Sequence, residues 1–185
     1  MYIFASDPHG TGQPWIDLVE QAKQAYPKAQ VVFGGDYIDG RSFNKETLDY
    51  VMTSVKAGAV ALLGNHEQMM LDFIDQQDDF FASVWYGNGA KTTIKSLLNL
   101  NHCCSKHMAK KLLKETDYYQ FIKGLPLDYQ TDNITFVHAV SSLMVRQLIA
   151  TISFGPVRNT GTAGKIRVLT SCLPSLRTTR PVKRL

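Results

Sequence analysis

Three short apolar runs, set within MYIFASDPHG, AQVVFGGD and AVALLGNHE, lack the polar alternation of a half-exposed strand. A strand that is apolar on both sides belongs inside a parallel sheet covered on both faces. Between the first two runs, QPWIDLVEQAKQAY places Trp15, Leu18, Val19, Ala22 and Ala25 at helical spacing. Between the second and third, KETLDYVMTSVKAG reads as a helix that stops at Gly58. Strand, helix, strand, helix, strand predicts three parallel strands joined by right-handed crossovers. In such sheets the chemistry gathers just beyond the carboxyl ends of the strands.

Those ends are where the polar residues stand. The first run leads into Asp7-Pro8-His9, the second into Gly35-Asp36-Tyr37-Ile38-Asp39, and the third into Gly64-Asn65-His66-Glu67. A fourth apolar run, NITFV, delivers His138. In an extended segment residues two apart point the same way, so Asp7 and His9 can face one ion. Asp36 has two carboxylate oxygens and can serve two ions, while Asn65 offers an amide oxygen and His138 a ring nitrogen. A mixed nitrogen and oxygen set without thiolate suits Mn²⁺, Fe or Zn²⁺ in a catalytic site better than a structural zinc. Two ions about 3.5–4 Å apart can clamp both ends of an in-line phosphoryl displacement. Each residue also has a plainer use: Asp7 and Asn65 as helix caps, Asp36 and Asp39 as turn residues beside glycine, His138 as a rim residue. Capping, however, does not ask for histidine at three of four strand ends.

At 185 residues the chain is long enough for one domain with a small appendage. No run approaches the roughly 20 apolar residues of a membrane span, and Met1–Ser6 has no basic leader. Three cysteines, Cys103, Cys104 and Cys172, form no framework and fit a reducing compartment, so the expected location is the cytoplasm. The net charge of +4 conceals a division. Residues 140–185 hold eight of the 20 basic residues and none of the 16 acidic ones, leaving 12 basic against 16 acidic in the first 139. A body of −4 and a tail of +8 put a boundary at about residue 139.

Taken in order, SDPHG, GGDYIDG, GNHEQMM and FVHA resemble the calcineurin-like metallophosphoesterases. Within them the chain is most similar to the phosphoprotein-phosphatase branch, which includes bacterial and phage serine/threonine phosphatases and symmetrical diadenosine tetraphosphatases. WYGNGAKTTIKSL, Trp85 to Leu97, also resembles the segment after the Asn-His-Glu motif in bacterial members. The resemblance implies an α/β fold of two packed β-sheets flanked by helices, an αββα sandwich with a two-metal site on its rim. It further implies that Asp7, His9 and Asp36 hold one ion and that Asp36, Asn65 and His138 hold the other. His66 would protonate the leaving oxygen, Asp39 would orient His66, and a metal-bridging hydroxide would attack phosphorus directly.

The chain departs from this pattern in several places. The family has Asp-Arg-Gly where this chain has Asp39-Gly40-Arg41, so Arg41 is assigned the phosphate contact one position on. Pro8 replaces a branched aliphatic residue, and His102 and His107 around the two adjacent cysteines are read as a lysine-rich surface stretch rather than a zinc site. After His138 the family continues His-Ala-Gly, then a tryptophan and an arginine, then Gly-His-Thr; here His138-Ala139-Val140 follows and no later histidine exists. One base of offset near codon 140 can restore the glycine, and the same offset through Ser153–Thr162 can spell both tryptophan and arginine. The expectation is therefore a phosphoesterase domain at 1–139 and an out-of-frame basic tail at 140–185. Its second sheet would be incomplete and its activity weakened by the missing ligand motif.

The expected function is hydrolysis of phosphomonoesters, on phosphoprotein or small phosphoesters, with two divalent ions, Mn²⁺ first. Dinucleoside tetraphosphate hydrolysis is the alternative within the class. Outside it stand a nucleic-acid binder using the basic tail, disfavoured by the acidic body and a tail aromatic only at Phe154, and a metal binder without catalysis.

Overall fold

The three parallel strands are present, each shorter than its apolar run. The computed structural model describes residues 1–138; the tail assigned to 140–185 lies outside the described residues. Strands β1 (Tyr2–Ala5), β2 (Gln30–Phe33) and β3 (Val60–Ala61) form a sheet in that order. Ile3 stands opposite Val31, and Val32 opposite Val60. The crossovers are α1 (Gln13–Ala25) and α2 (Asn44–Lys56). Beyond β3 come α3 (Asn65–Asp75), α4 (Asp79–Gly87), α5 (Ala90–Leu97), α6 (Lys106–Lys114) and α7 (Asp117–Lys123). Strands β4 (Asp128–Gln130) and β5 (Thr135–Val137) then pair antiparallel as a second, two-stranded sheet, with Tyr129 opposite Phe136.

Alternation along β2 explains the layering. Phe33 points into the cluster built by the helices, with Val19, Leu48, Val51, Phe73, Trp85, Ile94 and Ile122. Val32 points the other way, onto Leu62 and Phe136, with Phe4, Tyr129 and Ile134 around them. Helices therefore cover one face of the parallel sheet and the β4–β5 hairpin covers the other, each face removing apolar surface from water.

Local chemistry places the helix starts. Asp78, Ser105 and Thr116 cap α4, α6 and α7 by accepting the backbone N–H of Phe80, Met108 and Tyr119. Helix α2 ends as expected beside Gly58, whose φ of +102° suits glycine. Helix α1 is rolled relative to the expected face: Ile16 and Val19 are buried while Leu18 is 65% exposed. Gly12 and Pro14 set its entry, and Gly12 lies against Phe43, where a side chain would not fit. Among the described residues no helix is long and apolar enough to cross a membrane.

Candidate metal centre

The loops after β1 and β2 are zipped together by their backbones. Asp7 N–H donates to Gly35 O, His9 N–H to Asp36 O and Gly10 N–H to Tyr37 O, at 2.9–3.1 Å. Along this seam Asp7, His9, Asp36 and Asp39 all adopt positive φ, between +45° and +68°. Each such residue costs roughly 1–2 kcal/mol, which the surrounding bonds must overcome. The extended geometry expected for Asp7 and His9 does not form, because β1 ends at Ala5 and the chain turns left-handed through both residues. Their side chains consequently join different groups.

Ligand atoms of His9, Asp36 and His66 lie within 4.8 Å of one another, and so do those of Asp7, Asp36 and His138. Asp36, 4% exposed, belongs to both groups. Its Oδ2 is 3.7 Å from His9 Nε2 and 3.9 Å from His66 Nε2, and its Oδ1 is 3.3 Å from His138 Nε2. Asn65, the first residue of α3, turns its Oδ1 to His138 Nε2 at 2.9 Å. All five residues singled out as ligands are thus at one rim.

The outer nitrogens of the imidazoles are fixed from behind. His138 Nδ1 donates to Gly34 O at 2.6 Å, His9 Nδ1 to Ile38 O at 3.2 Å, and His66 Nδ1 to Asp39 Oδ2 at 2.8 Å. Each ring therefore presents Nε2 towards Asp36. Metal-ligating histidines characteristically donate their second nitrogen to a carbonyl or carboxylate, so this donor set fits divalent cations.

The electrostatics centre on Asp36. Burial opposes its charge, but the hydrogen bond from His138 and the backbone N–H of His66 prevail and hold its carboxyl below the usual range. Burial likewise opposes a charged His138, yet the Asp36 carboxylate pushes it up to about 9. His66 is also raised, against burial, by its bond to Asp39 and the charge of Asp36.

Arg41 is exposed at the edge, its N–H bonded to His9 O and its guanidinium to Thr11 Oγ1 at 2.8 Å. His102, Cys103 and His107 are exposed, and among the described residues none of them belongs to a metal-binding group. Glu67 was not singled out from sequence, yet it organises the rim. Fully buried, it accepts the backbone N–H groups of Asp36, Tyr37, Ile38 and Gly64. Burial and the neighbouring Asp36 charge push its carboxyl up to about 7, against those donors. The signal was there in the capping-box spacing, Glu67 standing three residues after Gly64.

A family model described as calcineurin-like phosphoesterase matches residues 2–158. No curated protein matches the chain. Among solved structures, a candidate diadenosine tetraphosphatase is similar at 17% identity and a TM-score of 0.43, over 74% of this chain and 49% of that one. A metallophosphoesterase from Sphaerobacter thermophilus is similar at 14% identity and a TM-score of 0.41, over 71% and 43%. A cold-active protein tyrosine phosphatase is similar at 16% identity and a TM-score of 0.44, over 78% and 43%. The chain spans less than half the length of each of these three proteins.

Proposed function

Because this chain belongs to the calcineurin-like phosphoesterase family, we propose that it hydrolyses phosphomonoesters, with serine/threonine phosphoprotein as the substrate class. The observation that carries the reading is Asp36, a buried carboxylate shared by two groups of donor atoms. Asp7, His9, Asp36, Asn65 and His138 are the proposed ligands of two divalent ions, Mn²⁺ before Fe or Zn²⁺. When bound, the ions supply positive charge for the phosphate oxygens and acidity for the attacking water.

The chain's own residues do the rest. Arg41, on the open edge beside Thr11, would contact a phosphate oxygen through its guanidinium. His66 presents Nε2 to the reacting group while Asp39 holds Nδ1. As the bond from phosphorus to the leaving oxygen breaks and a water oxygen bonds to phosphorus, His66 passes its Nε2 proton to the leaving oxygen, and the proton from the water restores it. In the same proposal residues 140–185 are an out-of-frame extension, a matter the nucleotide sequence around codon 140 decides.

The test uses the full chain, stripped of metal and titrated with Mn²⁺, on p-nitrophenyl phosphate. Metal-dependent turnover is expected, and Asp36→Asn should lose at least about a hundredfold, since the shared ligand goes. A variant as fast as the parent would sink the site. A phosphoserine peptide and diadenosine tetraphosphate, compared under the same conditions, decide between the two substrate classes.

A further inference from the structure

Asp39 is fully buried, and its carboxylate is held by more than His66. Trp85, on α4 and itself 0% exposed, donates its indole N–H to Asp39 Oδ2 at 2.9 Å, the same oxygen that receives His66 Nδ1. Thr93, on α5 and also buried, donates its hydroxyl to Asp39 Oδ1 and takes the Asp39 backbone N–H at 3.0 Å. Gly89, between the two helices, has φ +113° and lies so close that a Cβ there would stand 2.8 Å from Gly40 N and 3.0 Å from Asp39 Cβ. The α4–α5 corner is thus pressed onto the turn that carries Asp39.

A carboxylate with free rotation about its Cβ–Cγ bond could follow a swinging imidazole. One with donors on both oxygens cannot, because turning it to follow the ring breaks the bonds from Trp85 and Thr93. We infer that Trp85 and Thr93 are positioning residues that lock the Asp39 carboxylate, and through it aim His66 Nε2 at the leaving oxygen. This inference rests on the phosphoesterase reading above. It divides the chain's labour: the residues up to Asn65, with His138, face the ions, while the α4–α5 corner serves the proton that leaves with the product.

A misaimed proton donor matters most when the leaving group is a strong base. Trp85→Phe removes the N–H and keeps an aromatic ring, Thr93→Val removes the hydroxyl and keeps the shape, and Thr93→Ser keeps the hydroxyl. In the Mn²⁺-loaded chain, Trp85→Phe and Thr93→Val should lower kcat on phenyl phosphate by about 10–100-fold, while p-nitrophenyl phosphate, which needs little protonation, falls less than about threefold with KM little changed. Thr93→Ser should return to within about threefold of the parent on both substrates. Independently of turnover, the His66 Nδ1 proton should be visible by NMR in the metal-free parent. In Trp85→Phe and Thr93→Val it should exchange with water at least about tenfold faster.

Equal losses on the two substrates in folded variants, or an Nδ1 proton exchanging as in the parent, would overturn the inference and leave Trp85 and Thr93 as packing residues. A parent with no metal-dependent turnover would instead overturn the phosphoesterase reading, and the catalytic role drawn here with it. The NMR comparison would still decide whether Trp85 and Thr93 fix the ring.

Discussion

His138 ties protonation to stability most directly. Its imidazole, pushed up to about 9 in the fold against an ordinary 6.5, contributes stability that is complete below the ordinary value and lost as pH rises through about 9. In the metal-free chain this amounts to something of the order of 2–3 kcal/mol, shared with Asp36. Urea unfolding of the parent should therefore show a midpoint that falls between about pH 6 and about pH 10, and His138→Gln should flatten that fall. Equal pH dependence in both would count against the Asp36–His138 pairing. Legibility in the sequence followed the same chemistry. Asp7, His9, Asp36, Asn65, His66 and His138 could be picked out because carboxylates, an amide and imidazoles stood at strand ends, where apolar residues would otherwise continue. Their backbone conformation could not, since left-handed φ at four non-glycine residues is set by a seam of long-range hydrogen bonds. Trp85 and Thr93 stood in a stretch that resembled bacterial members but carried no assigned role, and only the packed corner shows what their polar atoms do.

At the level of elements, the rim depends on how α3 is joined to the end of β2. Glu67 receives N–H groups from both sides of that junction and has no solvent around it. Glu67→Gln keeps the shape but turns an NH₂ towards backbone donors, which should cost about 2–4 kcal/mol in denaturant unfolding. A loss below about 0.5 kcal/mol would show that the junction stands without it. Apolar periodicity gave the crossover helices correctly, yet it overstated β3, which spans two residues of a five-residue run. After Ala61 the chain changes partners: Leu62 N–H bonds to Phe33 O, but Leu63 N–H turns to Pro126 O. The roll of α1 towards Ile16 was equally hidden, because Gly12 sets the entry by its contact with Phe43.

Across the whole molecule, Phe136 is the point where the two sheets meet. Its ring lies 5.1 Å from that of Tyr2, 5.6 Å from Phe4 and 6.0 Å from Tyr129. Phe136→Ala should lower stability by about 3 kcal/mol. Because β5 carries His138 to the rim, it should also weaken Mn²⁺ binding by at least about tenfold, measured by calorimetry. Unaltered Mn²⁺ affinity would show that the rim does not depend on the hairpin. The bond from His138 Nδ1 to Gly34 O joins residues 104 positions apart, whereas the bond from His66 N–H to Asp36 spans 30. Contacts that close long stretches of chain pay their entropy late in folding. As the chain leaves the ribosome, Asp36 follows His9 and is joined by His66 soon after, while His138 follows only once the four helices after α3 have been synthesised. The nascent chain thus passes through an interval in which half of its candidate ion-holding rim exists without the other half.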